Sequence, residues 1–230
     1  MTGSNGTLIT HVIFDMDGLL LDTERIYSQV SQKILERFGH EFSWECKAKQ
    51  MGRPKRDAAQ TLIDHYNLPM TADQWIEETS KLQRELMPTA DFLPGAERLI
   101  RHLSSHNVPI CVATGSTRPF YDLKTSRHRD VFSLFQHVLC SDDPDLKRGK
   151  PHPDIFQLAA ARFTNPPAYM ANVLVLEDAP NGMEAGLAAG SVVVLVPDPR
   201  VPDEVKNRAH HYLPSLLHFE PAQFGLPPFP

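Results

Sequence analysis

The sequence predicts an α/β protein: a doubly wound parallel sheet with an all-helical insertion after its first strand. Three observations lead there. Short runs recur that are apolar throughout rather than alternating, as strands covered on both faces must be. From about residue 93 onward, helical periodicities separate these runs, which is the pattern of βαβ units. The stretch from 23 to 92 shows helical periodicity only.

His11-Val12-Ile13-Phe14 is the first strand, β-branched and aromatic, and it stops at Asp15. In the insertion, Ile26, Val30, Ile34 and Phe38 recur every four residues before Gly39, and Ala58, Leu62, Ile63 and Tyr66 form a second stripe. Thr71 with Gln74 is a capping box that opens a third helix, running through Leu82 and Leu86 to a stop at Pro88. These stripes are read as core packing. Leu99, Ile100 and Leu103 follow the Pro94-Gly95 turn as a helix that leads into the strand Val108 to Ala113; His137 to Cys140 is a weaker strand. Ile155, Phe156, Ala159, Ala160 and Phe163 then form a helix after Pro153-Asp154, and Val173 to Leu176 is the next strand. Met183, Leu187 and Ala188 lie on a helix between Pro180 and Gly190, before a last strand, Val192 to Val196. The final ten residues, PAQFGLPPFP, read as an extended tail.

A chain of 230 residues can build a large core without a metal or disulfide staple. With 41% hydrophobic and 22% charged residues it is ordinary for a globular protein, which excludes disorder as the main state. Lys and Arg number 23 against 28 Asp and Glu, a net charge of −5 with no long basic run, so neither nucleic acid nor an anionic membrane is an expected partner. Cys46, Cys111 and Cys140 lie far apart, outside any zinc spacing, and read as reduced thiols. MTGSNGTLIT lacks a basic n-region and an apolar h-region, and no stretch approaches a membrane span; the expected location is the cytoplasm.

In an open parallel sheet, functional residues gather at the carboxyl ends of the strands. After the first strand comes Asp15-Met16-Asp17-Gly18, after the second Thr114-Gly115-Ser116, and after Val173 to Leu176 comes Glu177-Asp178. Four carboxylates on one edge repel one another unless a cation sits among them. Magnesium is the expected occupant, because it takes carboxylate oxygens while keeping waters for a phosphate. A carboxylate can attack phosphorus covalently, and its neighbour can protonate the leaving alcohol and then deprotonate water. Asp15 fits the first role and Asp17 the second. Charge compensation for the phosphate falls to the cation and to Lys150 in Gly149-Lys150-Pro151-His152-Pro153-Asp154, just before a helix start. The Thr114 hydroxyl and the amides of Gly115 and Ser116 can bind the same oxygens, and phosphoryl transfer asks for little beyond positioning and electrostatics. Taken singly each motif has a bland reading: a turn former for DMDG, a structural strand-end threonine, a solvated turn for Glu177-Asp178. Their joint placement at the sheet edge favours an active site.

DMDG, the strand-end threonine, GKPHPD and LEDAPNG, in this order, are similar to the four motifs of the haloacid dehalogenase superfamily. That resemblance covers essentially the whole chain. It implies a Rossmann-like core, residues 1–22 with 93–230, and a small helical cap, residues 23–92, that closes over the substrate. Within the superfamily, FDMDGLLLDTE, LPGAERLI, LKTSRH, FSLF and FGLP resemble the pseudouridine-5'-phosphatase group, which is close to plant-type glycerol-phosphate phosphatases. Carried over by position, Asp15 is the nucleophile and a metal ligand, and Asp17 is the acid/base whose backbone carbonyl also binds metal. Thr114 and Lys150 bind phosphate, and Asp178 with Glu177 forms the acidic metal motif. Gly115 is a departure, since its ATG form is closer to the glycerol-phosphate branch. Related sugar-phosphate mutases carry a histidine where this chain has Tyr27, and dehalogenases lack an acid at Asp17.

The resemblance therefore implies a magnesium-dependent, cytoplasmic phosphatase working through an aspartyl-phosphate. The expected substrate is a small phosphomonoester, pseudouridine 5'-phosphate first, and the expected state is a monomer. Glycerol-phosphate or sugar-phosphate hydrolysis is the alternative, followed by a β-phosphoglucomutase-like isomerase; a binding protein that merely keeps the fold is the non-enzyme rival. Substrate choice falls to the cap, where Gly52 and Arg53 in the Met51 to Arg56 loop are candidate contacts. The same loop also reads as a solvated basic turn.

Overall fold

The computed structural model describes residues 8–50 and 53–230. It divides into two compact units, Thr23–Ala90 and the remainder, up to Asp22 and from Asp91.

The larger unit is built on a sheet of six strands, β1 His11–Phe14, β2 Ile110–Ala113, β3 Val138–Leu139, β4 Val173–Glu177, β5 Val192–Leu195 and β6 His211–Tyr212, in the order β3-β2-β1-β4-β5-β6. Every pairing is parallel; Val12 lies opposite both Ile110 and Leu174, and Phe14 opposite Val112 and Leu176. The sheet is thus a Rossmann-like α/β sheet whose order reverses at β1. The crevice beyond the carboxyl end of β1 is where such sheets bind ligands.

One face of the sheet presents Ile13, Cys111, Ala113, Val175, Val193 and Leu195, which pack with Ile155, Phe156, Ala159 and Met183. Those partners come from the later helices. The four central strands read as uninterrupted apolar runs because both of their faces are covered.

In chain order, the helices of the smaller unit are α1 Thr23–Leu35, α2 Trp44–Gln50, α3 Lys55–Tyr66 and α4 Ala72–Leu86. Ile34, Leu35, Cys46, Leu62, Ile63 and Trp75 form their common core. The capping box is present: the Gln74 amide donates to Thr71 Oγ1 at 3.3 Å and the Thr71 amide to Gln74 Oε1 at 2.8 Å. The larger unit carries α5 Ala96–Ser105, α6 Arg118–Lys124, α7 Arg129–Phe132, α8 Asp154–Ala161, α9 Pro180–Ala189 and α10 Asp203–Lys206.

One expectation is corrected. The proline-rich end is not an extended tail: Pro221–Phe224 form a 3-10 turn, Phe224 stacks on Phe219, and Leu226 is buried. His102 Nε2 lies 2.8 Å from the Pro227 carbonyl, and the Phe229 ring packs against His102 and Arg98. Burial of the intervening aromatic and leucine side chains outweighs the preference of proline for open chain. Among the described residues no helix is long and apolar enough to cross a membrane.

Candidate active site

Asp15 takes its place from β1. Its amide donates to the Leu176 carbonyl of β4 at 2.9 Å, which prolongs the strand pairing by one residue and leaves the side chain at the sheet edge. Gly18, with φ 78°, lets the chain turn back sharply, and its amide reaches the Leu21 carbonyl at 3.0 Å. Both aspartates of DMDG are thereby kept at the carboxyl end of β1.

Lys150 is the hub of the cluster. Its Nζ lies 2.5 Å from Asp15 Oδ1 and 2.6 Å from Glu177 Oε1, and donates to the Ala113 carbonyl at 3.1 Å. The three side chains are almost wholly buried. Arg148 anchors the loop that delivers the lysine by pairing with Asp154, at the start of α8, at 2.9 Å. Glu177 ends β4, and its second oxygen accepts from the amides of Asp178 and Ala179 at 3.2 and 3.4 Å. Asp178 is half-buried; oxygens of Asp15, Glu177 and Asp178 all lie within 4.8 Å of one another.

Burial pushes the Asp15 carboxyl up to about 7; Lys150 pulls against that, while Glu177 and Asp17 add to it as like charges. For Lys150, burial alone works against the charged form, but the carboxylates of Asp15 and Glu177 outweigh it and hold the ammonium above its ordinary value. One ammonium between several carboxylates leaves an excess of negative charge. The donor set is all oxygen and suits a hard divalent cation, whose charge would offset that excess.

Thr114 follows β2 and is fully buried. Its hydroxyl donates to Asp17 Oδ2 at 3.3 Å and accepts from the Ser116 amide at 3.0 Å. Gly115 is exposed, and a side chain built there would meet nothing within 4 Å. Asp15, Asp17, Thr114, Lys150, Glu177 and Asp178 thus belong to one cluster at the carboxyl ends of β1, β2 and β4. Arg53 is exposed in the helical unit, with its amide bonded to the Gln50 carbonyl at 3.1 Å. Gly52 lies outside the described residues, as does Met51.

Two side chains at the site escape a reading of the sequence. Lys124, at the end of α6, is fully buried with its Nζ 2.5 Å from Asp17 Oδ1, and the Ser116 hydroxyl donates to Asp17 Oδ2 at 2.8 Å. The available signal was periodicity: Lys124 stands three residues after buried Tyr121, on the inward face of a short helix.

The helical unit contains a cavity of about 270 Å³ of its own, lined among others by Tyr27, Phe42, Lys47, Trp75 and Gln83. Lys47 pairs there with Glu24 at 2.8 Å.

The profile of the family described as "haloacid dehalogenase-like hydrolase" matches residues 9–190. An Arabidopsis thaliana protein named (DL)-glycerol-3-phosphatase 2 is 48% identical over 231 residues, covering 100% of this chain and 96% of the relative. A Drosophila melanogaster protein named probable pseudouridine-5'-phosphatase is 46% identical over 222 residues, covering 96% of each. Among solved structures, a haloacid dehalogenase family hydrolase from Deinococcus radiodurans with bound phosphate and sodium superposes with a TM-score of 0.78 at 26% identity, covering 97% of this chain and 100% of that one. The chain belongs to the haloacid dehalogenase-like hydrolase family, and its matched relatives in plant and fly carry the names of phosphoric monoester hydrolases.

Proposed function

We propose that this hydrolase is a magnesium-dependent phosphatase that cleaves a small phosphomonoester through an aspartyl-phosphate on Asp15, with pseudouridine 5'-phosphate as the first-choice substrate. The reading rests above all on Lys150, whose Nζ sits 2.5 Å from the Asp15 carboxylate at the carboxyl end of the central strand. An ammonium there faces both the attacking oxygen and the phosphoryl oxygens that approach it.

An Asp15 oxygen forms a bond to phosphorus as the bond to the ester oxygen breaks, and Asp17 gives its proton to the departing alkoxide. Asp17 then takes a proton from water, whose oxygen attacks phosphorus and breaks the bond to Asp15, releasing inorganic phosphate. Lys150, the Thr114 hydroxyl and the Gly115 amide hold the phosphoryl oxygens. Asp15, Glu177, Asp178 and the Asp17 carbonyl would hold the magnesium ion, which supplies positive charge to phosphoryl oxygens. The three cysteines are free and buried, in keeping with a reducing cytoplasm.

Choice of ester is assigned to the helical unit, whose cavity combines Tyr27, Phe42 and Trp75 with Lys47 and Gln83. Those rings suit a base-bearing ester. Glycerol 3-phosphate is the second reading, favoured by the name of the Arabidopsis relative at 48% identity.

Phosphate release over a panel holding pseudouridine 5'-phosphate, other nucleoside monophosphates, glycerol 3-phosphate and sugar phosphates, with magnesium or with a chelator, tests both levels. One preferred ester and loss of turnover with the chelator are expected; uniformly low rates defeat the substrate, and chelator-resistant turnover defeats the metal. Asp15→Asn should lower turnover on the order of 10³-fold or more while the fold persists. Sugar isomerisation without net phosphate release would instead mark a mutase.

A further inference from the structure

The first aspartate of DMDG is served by Lys150. The second has a lysine of its own, which the chemistry proposed above does not use. Lys124 has no exposed side-chain surface, and its Nζ contacts Asp17 Oδ1 at 2.5 Å and Ser116 Oγ at 2.7 Å. Ser116 Oγ in turn donates to Asp17 Oδ2 at 2.8 Å. The three polar groups close a ring around the Asp17 carboxyl, touching both of its oxygens, and the Thr114 hydroxyl braces Oδ2 from strand β2 at 3.3 Å.

Taking an ammonium wholly out of water is unfavourable unless close partners replace its hydration, and an apolar side chain would fill the same buried space without that penalty. A residue that only completed the packing of α6 would therefore be better made of carbon. Among the partners of Lys124 are the Asp17 carboxyl and the serine that touches it. That ring fixes rotation of the Asp17 carboxyl about its terminal torsion, which is broad and weakly restrained for aspartate in the absence of contacts. A group that must deliver a proton to one atom and later take one from water gains from such fixation, because misplacement by an ångström is enough to slow the reaction strongly.

The geometry points to Lys124 as the positioning residue that orients Asp17 for proton transfer, with Ser116 as the third corner of the device. This inference rests on the reading of Asp17 as acid and base, and its test separates the two.

The experiment compares the full-length parent, Lys124→Met and Asp17→Asn with magnesium, on two esters: the best alkyl ester of the panel and 4-nitrophenyl phosphate, whose leaving group departs without a proton. Lys124→Met should slow turnover of the alkyl ester about 10²-fold while the rate of phosphoenzyme formation from 4-nitrophenyl phosphate, and the Kd read from the concentration dependence of that step, stay within about threefold. Because Asp17 also serves as base in the second step, stopped-flow traces of Lys124→Met should show a burst of 4-nitrophenolate equal to the active sites, followed by a slow steady phase. A merely structural lysine predicts that phosphoenzyme formation from 4-nitrophenyl phosphate slows as much as alkyl-ester turnover, with no burst, and that result overturns the proposal. Full alkyl-ester turnover by Asp17→Asn overturns the reading of Asp17 itself; inactive Asp17→Asn beside a parent-like Lys124→Met overturns only the role of Lys124. Should Lys124→Met fail to fold by circular dichroism, Ser116→Ala carries the same comparison. A burst of 4-nitrophenolate ahead of a steady phase slowed about 10-fold supports the ring, and slower phosphoenzyme formation without a burst overturns it.

Discussion

The carboxylate of Glu177 occupies the space that a side chain at Gly182 would need: a Cβ built there would lie 1.9 Å from Glu177 Oε1. Gly182 belongs to the first turn of α9, so the helix begins flush against the acidic cluster. Glu177 is almost fully buried and paired with Lys150 at 2.6 Å, which leaves it little freedom to step aside. Gly182→Ala should therefore shift Glu177 off Lys150 and lower kcat about 10-fold or more, while far-UV circular dichroism stays unchanged. Unaltered kcat would mean that the Glu177 position is not critical.

Removing the shared ammonium is a harsher change. Lys150→Met leaves Asp15 and Glu177 buried without it, and loss of one partner of a buried pair destabilises by roughly 3–5 kcal/mol. Asp15 already sits at about 7 in the intact site. Without the lysine its carboxyl moves further up, so the folded variant binds more protons than the unfolded chain and gains stability as pH falls. Urea denaturation in chelator at pH 8 and pH 6 should show the larger deficit at pH 8.

His137 makes the opposite prediction. Its Nε2 donates to the Ala159 carbonyl at 3.0 Å, its ring packs edge-on to Phe163, and Nδ1 is buried with no hydrogen-bond partner among the described residues. Burial holds this histidine below its ordinary value, with the Ala159 carbonyl opposing and Arg162 assisting. A depressed folded-state value stabilises above the unfolded pKa and is lost as pH falls through the folded one. Compared with the parent in thermal unfolding, His137→Gln should thus gain relative stability as pH falls from 7 to 5, because it lacks this depressed group. His211, also held low by burial, is present in both proteins and cancels from the comparison.

Within the helical unit, Thr71 holds the start of α4. Thr71→Ala removes the side-chain acceptor for the Gln74 amide and should destabilise by about 1 kcal/mol, with Thr71→Ser close to neutral. Chemical denaturation followed by Trp75 and Trp44 fluorescence reads the helical unit, where both tryptophans lie.

How far the sequence reveals all this varies with burial. β1, β2, β4 and β5 are legible because both faces are covered and their apolar runs are unbroken, as at VLVL and VVVL. β6 is not: His211 and Tyr212 are both exposed, and a two-residue edge strand leaves no periodicity to find. α2, WECKAKQ, hides for a related reason, since Cys46 is its only buried residue. At the site, the DMDG, GKP and Glu177-Asp178 segments could be expected at the sheet edge because each follows a strand or opens a helix. For Lys124 the spacing from Tyr121 is the one signal, and a lysine on the inner face of a helix looks in sequence like any exposed one until its partner is known.

The path of the chain into and out of the helical unit has a consequence for how the protein can be remade. Leu21 and Phe92 form an antiparallel bridge, the Asp22 amide donates to the Asp91 carbonyl at 2.9 Å, and the Leu93 amide to the Leu20 carbonyl at 2.8 Å. Entry and exit are therefore stitched side by side by the sheet-bearing unit's own backbone, and the intervening residues are a detour whose two ends already touch. A tight turn spliced between Asp22 and Asp91 would close that gap with little entropy to lose, and a foreign helical module could be grafted across it. A sheet unit of this kind can exchange the helical module it carries while its own backbone pairing stays intact.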